Sequence, residues 1–191
     1  MPGLDNNPAD DGMVFGKSHP YITKAYPGAE KAVRKLLGDE ADYTIIPTKK
    51  GVLRIHSGHG KKERDENIRI GKYLVEKYGY EIDLVDNPSE KKSADSYNKT
   101  LNSLQEYKVS AKNSKNAIDF AIRSAKEQAD NIVIDLKGKV VWEDVAAVLR
   151  SRVRRSEKIK SITLIHENKD IILNRDNILS DNFKIRPTDL K

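Results

Sequence analysis

Residues 131–136 read NIVIDL, a nearly continuous apolar run too short for a helix and bounded by polar residues. Such a run is the mark of a strand covered on both faces, so a chain that holds it needs helices packed on either side of a sheet. The flanks supply them. NSKNAIDFAIRSAKEQAD, residues 113–130, reads as a helix with Asn113 or Ser114 as N-cap. Its stripe of Ala117, Ile118, Ala121, Ile122, Ala125 and Ala129 is small enough to lie close on a sheet. WEDVAAVLRSRV, from residue 142, reads as another helix with Trp142 in the core, and SITLIH, 161–166, as another buried strand. DIILN adds a final strand across a tight turn at Glu167-Asn168-Lys169.

Upstream the same patterns continue. Residues 62–78 place Ile68, Gly71, Leu74, Val75 and Tyr78 on one helical face, and Gly79 closes that helix. YEIDLV alternates as a strand with Tyr80, Ile82 and Leu84 on one side. DNPSEKKS is a loop, and another strand pair follows it. From residue 62 the order is helix, three strands, helix, strand, helix, two strands. This is an α/β (α+β) domain with a mixed central β-sheet flanked by helices. The first 58 residues differ, and are expected to form a small N-terminal appendage that links, docks or serves translocation. Its first dozen residues, rich in Asn, Asp, Pro and Gly, should be a loose arm. GAEKAVRKLLGDE reads as a short helix stopped by Gly38, and DYTIIPTKKGVLRIHSG as a hairpin turning at Lys49-Lys50-Gly51. The second domain is 59–191.

Composition narrows the chemistry. The chain has no cysteine, which excludes disulfides, thiol nucleophiles and cysteine zinc sites. No apolar run approaches the roughly 20 residues of a bilayer span, and the N-terminus lacks the apolar core of a signal peptide. Net charge is +6, which permits a nucleic-acid or acidic partner. Between Lys137 and Lys160 lie eight Lys or Arg against three acidic residues. Six of the eight, including Arg150, Arg152, Arg154 and Arg155, fall in LRSRVRRSEKIK, a candidate phosphate-gripping segment. The bland reading is a solvated helix end, which basic residues also suit.

The stretch SADSYNKTLNSLQEYKVSAKNS, 93–114, holds the sharpest pattern. On a strand, Glu106 and Lys108 share a face while Tyr107 turns away. Asp95 returns to that face if the intervening segment is a hairpin, giving a carboxylate pair with a lysine beside it. The alternative is a surface ion pair. Phosphodiester cleavage needs a hard cation, and Mg²⁺ prefers carboxylates and water. Asp95 and Glu106 would supply oxygens, with the Tyr107 carbonyl as another, and Lys108 would position the attacking water or steady the phosphate. Ser110, Lys112 and Asn113 follow this strand and either touch phosphate or form a turn. His56 and His59 raise a metal-independent histidine alternative, without a third convergent group.

The order helix-strand-strand-strand-helix-strand, with the acid ahead of a strand bearing Glu-x-Lys, is the layout of the PD-(D/E)XK nuclease superfamily. Residues 59–173 resemble, more narrowly, the C-terminal tRNase domain of contact-dependent growth inhibition (CdiA) toxins. The resemblance rests on HGKKERDENIRIGKYLVEKYGYEIDLV, KSADS, QEYK, AKEQADNIVIDL and RVRRSEKIKSITLI, in that order. Ala94 stands where the superfamily's name has proline, a position that shapes backbone and binds no metal.

The resemblance implies a metal-dependent endoribonuclease that cuts tRNA inside a competing bacterium, using Mg²⁺, Mn²⁺ or Zn²⁺. It implies a cognate immunity protein and a larger carrier, CdiA-like or from a phage or other mobile element, that delivers the domain into the target-cell cytoplasm. Glu66 resembles the extra acid that such folds bring towards the metal, although it also suits the positive end of its helix. Gln128 matches the family's glutamine and is expected at the site or on substrate. Two alternatives keep the fold or the charge but change the function: a DNA endonuclease, and a non-catalytic basic nucleic-acid-binding or phage structural module.

Overall fold

Strand order in space follows strand order in the chain. The computed structural model describes residues 37–60, 62–86 and 93–191. Eight strands form one sheet: β1 (Tyr43–Ile46), β2 (Val52–His56), β3 (Glu81–Leu84), β4 (Ser96–Asn98), β5 (Ser103–Ser110), β6 (Asn131–Leu136), β7 (Ser161–His166) and β8 (Lys169–Asn174). The helices are α1 (Arg64–Tyr78), α2 (Lys115–Ala125), α3 (Trp142–Arg154) and the one-turn α4 (Arg175–Leu179). The mixed sheet flanked by helices is the expected class, and the element order from residue 62 is the one read from the sequence. The expected loose arm and most of the helix expected over 28–40 lie outside the described residues, as does most of the 86–93 loop.

Pairs β2–β3, β5–β6 and β6–β7 are parallel, each bridged by a helix, and the remaining neighbours are antiparallel. The hairpin β1–β2 turns where expected, with Gly51 at φ 67°. A Cβ there would stand 2.4 Å from the Tyr80 carbonyl oxygen, so the turn and the parallel pairing beside it both require glycine. Through β2, strands from before residue 58 join the same sheet as those after it. The β7–β8 turn is Glu167-Asn168, both at positive φ, the mirror-image geometry that follows strand twist.

Alternation along β6 sorts the core into two faces. Ile132, Ile134 and Leu136 pack with α2, α3 and α4, while Val133 joins Leu53, Ile55, Ile82, Leu84 and Tyr107 against α1. Helix α1 buries Asn67, Ile70, Gly71, Leu74 and Val75 and ends at Gly79, φ 70°. Gly71 is the close-approach point, since a Cβ would meet Leu53 at 3.0 Å. Helix α2 begins at Ser114, whose side chain accepts from the Ala117 N–H, and buries Ile118, Ile122 and Ala125.

The far end of α1 is tied to β8 through Asp170, which is 2 % exposed. Its carboxylate accepts from the Tyr73 hydroxyl at 2.7 Å and the Tyr78 hydroxyl at 2.5 Å, and pairs with Lys77. Burial and the Asp170 charge hold both phenols protonated. Removing this carboxylate would strand a cluster of buried donors. Asp170→Ala is therefore expected to lower unfolding free energy by about 3–5 kcal/mol, read by urea denaturation at neutral pH. Ile172→Ala on the same strand, at a half-exposed position, serves as the control. Equal midpoints for the two variants would refute the anchoring role.

Candidate metal centre

The β4–β5 hairpin decides which side chains meet. Asn98 pairs with Ser103 across the turn 99–102, where the Asn98 side chain accepts from the Leu101 N–H at 3.0 Å and Asn102 takes φ 52°. That register sets Ser96 opposite Gln105, and the Asp95 N–H extends the ladder onto the Gln105 carbonyl at 3.1 Å. Asp95 thereby comes alongside Glu106, close enough for its charge to act on the Glu106 carboxyl.

Both acids are buried, Asp95 at 0 % and Glu106 at 1 % exposure. Glu106 Oε1 accepts from Lys108 Nζ at 2.5 Å and from Gln128 Nε2 at 2.7 Å. Its Oε2 is buried with no hydrogen-bond partner. Burial first, then the Asp95 charge, push the Glu106 carboxyl up to about 8 against the pull of Lys108. Burial works against the Lys108 charge, but Glu106, Asp95 and Glu63 outweigh it and hold the amine above its usual range. Asp95 Oδ2 accepts from the Tyr107 N–H at 2.8 Å, and Oδ1 from Asn67 Nδ2 at 3.0 Å.

A divalent cation fits this donor set. Two adjacent carboxyls that cannot both ionise comfortably, one with an oxygen that no donor reaches, would be relieved by a cation. Tyr107 adds a backbone carbonyl. Gln105 and Tyr107 present their peptide groups to the same edge of β5, and β4 ends before it reaches Tyr107. Among the described residues no three His, Asp or Glu side chains already converge as a ligand cage. Mg²⁺ is commonly held by one or two carboxylates and otherwise by water.

The remaining sequence candidates fall in different places. Gln128 is at the centre, on Glu106. Glu66 is exposed and bonded to Arg69 at 2.5 and 3.0 Å, and Arg69 in turn pairs with Asp135 on the α1 side of β6. Glu63, just ahead of α1, is instead the helix-end acid whose charge acts on Lys108 and His59. Ser110 donates to the Lys112 carbonyl at 3.0 Å, and Asn113 to the Lys137 and Lys139 carbonyls, so both shape the strand-to-helix connection. Lys112 is exposed.

Arg152 makes a two-pronged pair with Asp119 of α2, and Arg150 reaches Asp181. Arg154 and Arg155 are exposed at the end of α3. Lys158 in the same segment pairs with Glu127 at 3.0 Å, beside Gln128. The histidines do not form a pair. His59 binds the Val85 carbonyl and Asn67, and His56 is bonded to the Gly58 N–H and packs edge-on against Tyr43. Sequence reasoning missed Asn67, His59 in this role, and Glu63. A signal for Asn67 existed: it stands at the spacing of Ile70, Gly71 and Leu74, a polar residue on the helix's apolar face.

The fold and this acidic centre define an α/β domain with a candidate cation site on one edge-exposed strand. The family model described as "Contact-dependent growth inhibition CdiA C-terminal domain" matches residues 103–171, from β5 into β8 and just over a third of the chain. Over that segment the chain is similar to the C-terminal toxin domain of CdiA proteins. Searches of curated proteins and of solved structures gave no match. No helix among the described residues is long and apolar enough to cross a membrane.

The pH dependence of stability follows from the Glu106 shift. With its folded value raised to about 8, the folded state keeps a proton that the unfolded chain has released. Stability therefore falls as pH rises from the usual carboxylate range towards 8. Asp130, raised by burial to about 6, adds to the fall only in the lower part of that window. His59, lowered by burial, opposes it only below about 6.5. Between about 6.5 and 8, Glu106 acts without those two. In EDTA the protein should lose up to about 1.4 kcal/mol per pH unit there, and Glu106→Gln should remove the slope. Thermal melts across this range decide it, and an unchanged slope in the variant would refute the assignment.

Proposed function

We propose that this domain is a metal-dependent endoribonuclease of PD-(D/E)XK type that cleaves tRNA in target bacteria. The observation that carries the reading is the buried Asp95–Glu106 pair, with an orphaned Glu106 oxygen and Lys108 held against the other.

Asp95 and Glu106 would hold Mg²⁺ with the Tyr107 carbonyl. The cation would supply positive charge for the phosphoryl oxygens and lower the pKa of bound water. Gln128 and Lys108 fix the Glu106 carboxylate by gripping one oxygen and turning the other inward. Lys108, charged and partly exposed, is placed to steady the phosphate or orient the attacking water. Glu63 adds negative charge at the same edge, while Glu66 serves Arg69. Arg154 and Arg155, exposed at the end of α3, would contact the substrate backbone. Arg150 and Arg152 contribute through α3 packing, because their charges are already engaged by Asp181 and Asp119.

Purified protein incubated with total tRNA and Mg²⁺ should give discrete fragments on a denaturing gel. EDTA should abolish them, and Glu106→Gln should lower the rate by at least about 100-fold, as expected when a group acting directly on the transition state is lost. Arg154→Ala with Arg155→Ala should weaken tRNA binding and flatten its salt dependence by roughly two units of log-log slope, leaving the fold intact. Cleavage of duplex DNA with tRNA left whole would replace the substrate assignment. Cleavage unaffected by EDTA would refute the metal-dependent reading.

A further inference from the structure

Asn67 is 3 % exposed on the inner face of α1, yet it is polar, and its neighbours at helical spacing are Ile70, Gly71 and Leu74. Its amide nitrogen lies 3.0 Å from Asp95 Oδ1 and 3.1 Å from His59 Nε2. His59 is 2 % exposed, and its Nδ1 lies 2.6 Å from the Val85 carbonyl oxygen.

The bonding allows one arrangement. A carbonyl only accepts, so His59 Nδ1 carries the proton. The neutral ring then offers a bare Nε2 as acceptor. Asn67 has two N–H hydrogens, one for His59 and one for Asp95. Reversing the amide would turn its oxygen onto the Asp95 carboxylate, which also only accepts. The Val85 N–H meanwhile donates to the Asp95 backbone carbonyl at 3.1 Å, so one strand end steadies both ends of the chain of bonds.

We infer that Asn67, oriented by His59, is a positioning residue that fixes the Asp95 carboxylate for a divalent cation. This rests on the metal-site reading above. Asp95 is gripped at Oδ1 by Asn67 and at Oδ2 by the Tyr107 N–H, from opposite sides. Its carboxylate plane is thereby set before any cation arrives. Outer-shell partners of this kind tune affinity because a ligand that swings loses part of its binding energy in being ordered. A purely structural Asn67 would affect folding without affecting cation affinity.

The test is Mn²⁺ titration of the full chain, read from the loss of the free-ion electron paramagnetic resonance signal, with melting temperature measured alongside. Wild type should bind and Asp95→Asn should not. Asn67→Leu and His59→Leu should weaken binding roughly 10- to 100-fold. His59→Gln, which keeps an acceptor for the Asn67 amide, should recover most of the loss seen with His59→Leu. A folded Asn67→Leu with wild-type Mn²⁺ affinity overturns the positioning role and leaves the metal site standing. If Asn67→Leu does not fold, the two His59 variants decide, and equal affinity in both overturns the role. A wild-type protein that binds no Mn²⁺ overturns the metal-site reading, and this inference with it.

Discussion

Three buried aspartates on or beside the sheet each take a partner from one helix, α1. Asn67 donates to Asp95, Arg69 pairs with Asp135, and Tyr73, Lys77 and Tyr78 converge on Asp170. A carboxylate removed from water is costly unless it is bonded, and its partners must then arrive in one geometry. These anchors run from the start of α1 to its end, and fix its rotation as well as its position. Apolar contacts with Leu53, Ile82 and Leu84 hold the helix down, but a smooth apolar face alone would tolerate small slides. The polar ties do not. The candidate site inherits that precision, because the first tie ends on Asp95.

At the centre, the same physics is left incomplete. Asp170 is met by three donors, whereas the pairing is less complete where Glu106 meets Asp95. There the sheet register forces two carboxyls together, Lys108 neutralises one oxygen, and a proton covers the remaining deficit up to about pH 8. The arrangement is stable enough to fold and leaves the Glu106 carboxyl holding its proton well above the usual carboxylate range. Stability and chemistry are thus set by one local compromise.

Much of this was legible in the sequence because it depends on local periodicity. The order of elements from residue 62, the caps at Ser114 and Gly79, and the turns at Gly51 and Glu167-Asn168 follow from short-range sterics. The shared face of Glu106 and Lys108 follows from strand alternation, and the approach of Asp95 from one hairpin. What escaped depends on pairing between distant segments. The parallel contact of β2 with β3 brings the first hairpin into the main sheet, and no local pattern announces it. Glu66 and Glu63 are three residues apart on one helix end, and the choice between them turns on where Arg69 finds Asp135, far along the chain. Likewise Arg150 and Arg152 read as a basic patch until their partners Asp181 and Asp119 are seen. Asn67 stands at the spacing of the buried face of α1, but its acceptors lie on distant segments, so its partners escape local pattern.

The chain-ordered sheet has a consequence for how the domain folds. Each strand from β2 onward adds to an edge made by the strand just before it, so no later segment has to thread between two earlier ones. Loop-closure cost is met in small steps. With no cysteine in the chain, none of those steps waits on thiol chemistry. The docking of β8 onto Tyr73, Lys77 and Tyr78 closes one of the longest loops, and it places the seal on an otherwise largely complete body. An early-emerging N-terminal half would therefore expose the unsealed end of α1 until the C-terminal strands follow.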